Sequence, residues 1–360
     1  MLRFVVSRVV MMAVTALCLT FIVFALTNLP PNLEKLAKFE AGSRISDEEV
    51  ASWLARNGYD RPTLVRYGEW LGVLPGWTRA DPGTGAVTGR CLSREQSAAG
   101  AAEAEADGAL RPPRFCGILQ GDWGESTVFK VPVLDVVGRS LALTGKLMFW
   151  VMVVMVPGAL LLGVLAGMRE GSRLDRGLST VSIATTATPE YVSGVVFIAI
   201  FTSSAVGLRW FNGSATSAMD DATFQNFTLP VLTIALYGMG YIARMTRASM
   251  TEVMTAQYIR TARLKGVSFP QVVLRHALRN ALIAPFTVIM LQFPWLLNGV
   301  VIVEALFNYK GFGWTLVEAA GNNDIELLLG VSVVSVIVVL VTQLISDIGY
   351  AYLNPRIRLS

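Results

Sequence analysis

The run Leu147-MFWVMVVMVPGALLLGVLAG-Met168 carries no charged residue. Coiled as a helix rising about 1.5 Å per residue, it reaches across a hydrocarbon core about 30 Å thick. Five further windows read the same way: Val9–Leu33, Tyr191–Leu208, Ala222–Ala243, Asn280–Val303 and Leu327–Ser346. The composition agrees. Of 360 residues, 53% are hydrophobic and 16% charged, and the mean hydropathy is +0.52; a soluble domain carries about 25% charged residues. A soluble fold built from this chain would expose wide apolar patches. The fold class expected is therefore an all-α membrane protein with six transmembrane helices. A net charge of +4 is too small to argue for nucleic acid, and one His with three Cys gives neither a zinc cluster nor a Cys/His pair.

Two windows need adjusting. The third helix is expected to begin near Val181 and so to contain Glu190, and the fourth opens with polar residues and Pro230, which moves its membrane part to about Phe227. The first window follows Arg3 and Arg8 as a signal peptide would. Its apolar run exceeds the usual ~7–15 residues and no small-x-small site ends it, so it reads as a retained helix. Basic residues set the orientation. One side receives Arg3 and Arg8, then Arg169, Arg173 and Arg176, then seven basic residues from Arg244 to Arg279, then Arg356 and Arg358. The short loops opposite hold only Arg209 and Lys310, against Asp220, Asp221, Glu304, Glu318, Asp324 and Glu326. By the positive-inside rule both termini are cytoplasmic.

Residues 30–140 then form an extracytoplasmic, α-rich domain between the first helix (1–29) and a five-helix core (141–360). Asp47–Asn57 reads as a helix capped by Ser46, with Val50, Trp53 and Leu54 on one face; Asp60–Leu74 repeats the pattern through Leu64, Tyr67, Trp70 and Leu71. Ala98–Leu110 is a low-complexity insertion rich in Ala, Glu and Gly. Cys91 and Cys116 flank it on the oxidising side, where a disulfide is expected, while Cys18 is an apolar filler in the first span.

The cytoplasmic loop 244–279 is the most specific stretch: Arg244-MTRASMTEVMTAQYIRTARLKGVSFPQVVLRHALRN-Ala281. One helix is expected from about Ser249 to Lys265, with Met250, Val253, Met254, Tyr258 and Ala262 on one stripe. Gly266 follows as a residue able to take a positive φ, and Ser268 with Gln271 reads as a capping box opening a second helix. Such a helix could lie flat on anionic headgroups. Small Ala262 and Gly266 and the fixed glycine bend favour instead a rigid knob that docks.

This run resembles the coupling loop of ABC-importer permeases, in the version carried by the peptide/nickel family: Tyr258-Ile259-Arg260-Thr261-Ala262-Arg263-Leu264-Lys265-Gly266, then Arg275-His276-Ala277-Leu278-Arg279-Asn280-Ala281. Arg260 and Leu278-Arg279 stand where the general importer motif has Glu and Leu-Pro, as is typical of the peptide branch. Asn57-Gly58-Tyr59-Asp60-Arg61-Pro62 with Arg66-Tyr67 and Trp70-Leu71 is similar to the family's outer-domain signature, as is Gly121-Asp122-Trp123-Gly124-Glu125-Ser126. Val303-Glu304-Ala305-Leu306-Phe307, Gly311-Phe312-Gly313 and Asn354-Pro355-Arg356-Ile357-Arg358 complete the likeness, with Asn354 where Asp is usual. The long loop after the first span resembles the first of two paired permeases.

The resemblance implies a subunit of a heteromer in the bacterial inner membrane: a second permease, two ATPase subunits carrying ATP and Mg, an extracytoplasmic solute-binding protein, surrounding lipid, and no nucleic acid. It implies import of di- or oligopeptides, with nickel chelates, opines, glutathione or sugars as family alternatives. This chain carries no cofactor or metal, and Gly145-Lys146 lacks the Walker A flanks, so no ATP hydrolysis is expected of it. Tyr258, Arg260, Thr261, Ala262, Arg263, Lys265 and Gly266 are the expected ATPase contacts, with Ala262 and Gly266 entering its groove. Along the path, Glu190, Tyr237, Gln292, Trp295 and Asn298 are candidates, though each could equally bond a neighbouring helix. A helix beginning near Arg176 puts Glu190 about 21 Å along, well inside the bilayer. Gly163-x-x-x-Gly167 allows close helix approach. A secondary transporter or channel, the rival class, has no need of the knob.

Overall fold

The computed structural model describes residues 2–42, 44–80, 87–92, 114–203 and 208–353. The insertion at 98–110 and the 354–358 motif lie outside the described residues. The chain separates into two compact units. One takes residues 13–137 and 318–336; the other takes 1–12, 138–317 and 337–360.

Helix α1 (Leu2–Thr27) is followed by α2 (Pro30–Ala41), α3 (Asp47–Arg56) and α4 (Thr63–Leu71). Ser46 caps α3 as its sequence predicts. Its hydroxyl accepts from Glu49 N (3.3 Å) while the Glu49 carboxylate accepts from Ser46 N (2.7 Å), which satisfies two end donors at once. In α4, Trp70 is buried but Leu64 is 69% exposed. Of the expected face, Tyr67, Trp70 and Leu71 do meet the core and only Leu64 does not; the inward side also takes Arg66 and Glu69. An unforeseen antiparallel hairpin pairs β1 (Thr78–Ala80) with β2 (Val87–Gly89). Beside it, Cys91 and Cys116 form the expected disulfide. Phe24, Leu33, Leu36, Trp70, Ile325, Leu329 and Val333 make the core of this unit.

The second unit takes α5 (Val133–Gly167) from residue 138 on, α6 (Arg173–Ala187), α7 (Glu190–Phe201) and α8 (Phe224–Met254), and of the later helices it leaves 318–336 to the first unit. It continues through α9 (Gln257–Leu264), α10 (Phe269–Ala281, with a π-helical turn at Val272–Ala277), α11 (Ile283–Leu306), α12 (Phe312–Gly321) and α13 (Ile325–Leu353). Helices α1, α5, α8 and α13 are each long and apolar enough to cross a membrane, and the bent pairs α6–α7 and α10–α11 bring the number to as many as six. The third window is not one straight helix. Thr188 precedes Pro189 and takes an extended backbone (φ −95°, ψ 119°), as residues before proline do, and the chain turns by 104° there.

Glycines set a close helix contact. A Cβ on Gly163 would lie 2.4 Å from Thr246 Cβ, and one on Gly167 would lie 2.5 Å from Met250 Cβ. The Gly163-x-x-x-Gly167 spacing therefore lets α5 touch the backbone of α8. A second device joins α5, α11 and the loop after it. Glu304, counted above with the loop acids, is in fact fully buried. It accepts from the Thr144 hydroxyl and from Trp314 N (3.0 Å), while Phe312 N donates to Thr144 Oγ1 (2.7 Å). This explains Gly311 in the motif, where a Cβ would collide with the Glu304 carboxylate; at Gly313 a Cβ would lie 2.6 Å from Val301 Cα and 3.1 Å from Glu304 Oε2.

Gly313→Ala is expected to lower stability by about 1–3 kcal/mol through overpacking. Gly321→Ala, where an added methyl meets nothing within 4 Å, is expected to be neutral or slightly stabilising. Thermal unfolding in detergent checks the pair, and equal melting temperatures would count against the close approach of Gly313 to Val301.

Candidate functional site

The basic loop folds into a compact helical knob with its own core: Met250, Ile259, Ala262, Val272, Val273, Ala277 and Ala281, with Val164, Met168 and Phe269 packed against them. The helix expected over 249–265 is broken. Helix α8 ends at Met254, Thr255 N and Ala256 N close a tight turn on Glu252 and Val253 carbonyls (3.3 and 3.0 Å), and Ala256 turns extended (ψ 147°) to start α9. The break lets Ile259 and Ala262, three residues apart on one face, fold back onto Met250 instead of pointing into solvent.

Gly266 has φ +78°, and the turn is closed by Gly266 N to Arg263 O (3.0 Å) and Val267 N to Ala262 O (3.2 Å). Ser268 does sit at the start of the next helix, but its side chain makes no cap bond. The expected Ser268/Gln271 capping box therefore does not form, and Pro270 at the second helical position simply lacks an end donor of its own. Three contacts fix the knob. Ser249 Oγ donates to Ala281 O (2.8 Å), Asn280 Nδ2 donates to Tyr258 OH (3.0 Å), and the Arg169 guanidinium lies 5.5 Å from the centre of the Phe269 ring.

The structure divides the candidate contact residues. Tyr258, Arg260, Thr261, Arg263, Lys265 and Gly266 are exposed. Ala262 is not: its side chain is turned into the knob's own core. Its small size serves internal packing, which corrects the reading of Ala262 as a surface that enters a partner. Leu264, passed over in the sequence, is 81% exposed.

At the base of the knob lies an ion pair that the sequence did not reveal. Arg247 of α8 grips Asp175 of α6 through two nitrogens, one at 2.8 Å. The buried Asp175 also accepts from Gly171 N (2.9 Å) and Ser179 Oγ (3.1 Å), and Ser172 caps α6 by accepting from Asp175 N (3.1 Å). The one available signal was Ser172 three residues before the single acid of an otherwise basic turn.

The path candidates are scattered over three helices. Glu190 is the first residue of α7, half-buried at the 104° turn, so the estimate of 21 Å along a straight helix fails. A carboxylate there is stabilised by the helix N-terminus. Tyr237 is half-buried within α8, and Gln292 is buried on α11. Trp295 and Asn298 also fall on α11, but their side chains lie outside the described residues. Among the described residues no group of three or more His, Cys, Asp or Glu side chains is placed to hold a metal.

Residues 159–359 match the family model described as binding-protein-dependent transport system inner membrane component. An oligopeptide transport system permease protein of Bacillus subtilis is 32% identical over 246 residues, covering 67% of this chain and 77% of that protein. A glutathione transport system permease protein of Escherichia coli is 34% identical over 240 residues, covering 67% and 76%. A peptide transport system permease protein of Brucella abortus is 27% identical over 361 residues, 99% of each chain, and so extends the likeness through the segment after α1.

Arg247→Ala leaves the buried Asp175 without its charge partner and is expected to cost about 1.5–3 kcal/mol. Arg247→Lys should recover part of this, because lysine restores charge but not the two-pronged geometry. Melting of the purified chain orders the three proteins as wild type, Arg247→Lys, Arg247→Ala; a different order would remove the pair from the account of the knob's base.

Proposed function

This chain belongs to the family of binding-protein-dependent transport system inner membrane components, as an ABC permease of the peptide/nickel branch, and we propose that it imports peptides as one of two paired permeases. Its partners on this reading are a second permease, two ATPases that carry ATP and Mg, and an extracytoplasmic solute-binding protein. Membership places it in the inner membrane as a multi-pass transport component, and sets aside the secondary transporter or channel. The six spans, with both termini and the knob in the cytoplasm and the 30–140 segment outside, remain the reading of the basic-residue asymmetry.

The observation that carries the mechanism is the knob. It has an apolar core, is fixed to α8 by a hydrogen bond and shared packing, and presents Tyr258, Arg260, Thr261, Arg263, Leu264 and Lys265 outward. A charged rim around an exposed leucine suits a groove on an ATPase subunit better than a lipid surface, where Tyr258 would be held away by its bond to Asn280. Closure of the ATPases on ATP would then push the knob, and the spans packed on α8 would follow. For the cargo, the names of the relatives favour peptides and the tripeptide-like glutathione. Nickel chelates, opines and sugars are the weaker family alternatives.

The test is Leu264→Asp in the reconstituted transporter. Since Leu264 packs on nothing in this chain's core, membrane abundance is expected to be unchanged. Uptake of a labelled peptide is expected to be lost, and ATPase activity should stop responding to loaded binding protein. Ala262→Asp differs: it buries a charge inside the knob and is expected to lower abundance as well. Wild-type uptake by Leu264→Asp at normal abundance would sink the docking site.

A further inference from the structure

The proposed function leaves the two signatures of the segment after α1 without a task. Within their own unit, residues 13–137 and 318–336, they converge on the start of α13. Asp324 caps that helix through Leu327 N (3.2 Å) and accepts from Ser126 Oγ (2.6 Å) and Val128 N (3.2 Å). Gly124, at φ +75°, brings its backbone so near that a Cβ would lie 2.9 Å from Glu326 Oε2. Facing this, Asn57, Gly58, Tyr59 and Arg61 join Arg66 and Glu69 of α4 and Arg90 beside the hairpin to line a cavity of about 60 Å³.

Most charges around the cavity are matched. Arg61 pairs with Glu69 and donates through Nε to Gly58 O (3.1 Å); Arg66 donates to Asn28 and lies 4.9 Å from the centre of the Tyr59 ring. Two atoms are not. Arg90 Nε and Glu326 Oε2 are both closed off from solvent with no hydrogen-bond partner among the described residues. One is a donor and the other a carboxyl oxygen, and both residues line the same space. Leaving both unpaired there is strongly unfavourable.

We propose that this cavity is a resident-water site, in which water accepts from Arg90 Nε–H and donates to Glu326 Oε2. The bridge fastens the disulfide-anchored hairpin to the first turn of α13. A water needs about 10–15 Å³ of such space and two to four polar partners, so this cavity holds a few waters and is too small for a peptide or sugar. Chloride would satisfy Arg90 but press against Glu326, and a cation would do the reverse; water serves both. Arg90 is followed by Cys91, whose disulfide to Cys116 holds their Cα atoms 5.5 Å apart, and Arg90 N donates to Trp77 O (3.0 Å). Bridge and disulfide therefore position the same short segment, and loosening one exposes the other.

The experiment uses the assembled transporter in lipid nanodiscs and follows reduction of Cys91–Cys116 by tris(2-carboxyethyl)phosphine. Thiol alkylation is mapped by mass, which separates the free Cys18. Arg90→Met and Glu326→Leu are each expected to speed reduction several-fold. Combined, they should be no faster than the faster single variant, whereas multiplying effects would overturn the bridge. Glu326→Gln, which keeps an acceptor oxygen, is expected to stay near the wild-type rate. Should Glu326→Leu fail to assemble, Arg90→Met against Glu326→Gln gives the same contrast, and equal rates for those two would refute the proposal. A cryo-EM map of the wild-type complex fine enough to show solvent should place density within hydrogen-bond distance of both atoms. A dry cavity, a direct Arg90–Glu326 contact, or density shaped like a small zwitterion would each overturn the assignment to water.

Discussion

The contact of Gly163 and Gly167 with the backbone of α8 is the constraint on which the membrane unit turns. Without side chains at those positions, α5 approaches until Ala243 O and Arg247 O lie 2.6 and 2.7 Å from where Cβ atoms would be. That contact fixes the height and rotation of α8 just where it ends. Met250 shows the consequence: it touches the Gly167 position and is also fully buried in the knob core. Arg247, on the same turn, reaches Asp175 and locks α6 to the assembly. Helix packing, ion pair and knob core thus share one turn of α8. A shift of α8 by a single residue would spoil all three together.

Polar groups inside the protein follow one economy. Glu304 and Asp175 are each buried carboxylates surrounded by donors from two or more elements, and Asp324 binds two separate backbone segments. A buried carboxylate is tolerable only with such a donor set, and the set works only in one arrangement of the helices that supply it. Each therefore contributes less to net stability than to specifying a unique arrangement, in a protein whose lipid-like exterior says little about which apolar face should meet which. Glycine completes the device. At Gly311 the Glu304 carboxylate occupies the space a side chain would need, and at Gly313 the backbone of Val301 does.

The spans and the bent knob are legible in the sequence because the information is local. A charge-free stretch near the bilayer's thickness, a Ser three residues ahead of Glu49, and a glycine ending a periodic stripe need no knowledge of distant residues. What escapes has non-local causes. Nothing at Thr255-Ala256 marks a helix end; the helix stops because Ile259 and Ala262 gain more by folding back on Met250. Periodicity put Ala262 on a stripe but could not say whether that stripe faces in or out. Asp175 and Arg247 lie 72 residues apart, Thr144 and Glu304 160, so neither pair leaves a trace in spacing. Pro189 was visible, but a proline inside the helix expected from about Val181 is compatible with a kinked span as well as with a turn of 104°.

The geometry of the knob also bears on how a push could travel. A flexible loop would absorb a displacement by changing its own torsion angles, whereas a packed core transmits it because its side chains have no spare volume. The knob core draws on α8 through Met250, on α9 through Ile259, on α10 through Val272, Val273, Ala277 and Ala281, and on α5 through Val164. On the proposed reading, force arriving at Leu264 would pass through Ile259 and Ala262 to Met250, and so reach α8 at the turn already held by α5 and Arg247. Ser249 bonding to Ala281 O carries the same movement to the end of α10, beyond which the chain bends by 52° into α11. The two helices that leave the knob would then move as a pair, while the bends at Leu282 and at Pro189 supply the places where neighbouring segments can change angle. Stiffness at the knob and breaks in the spans are complementary requirements of one lever.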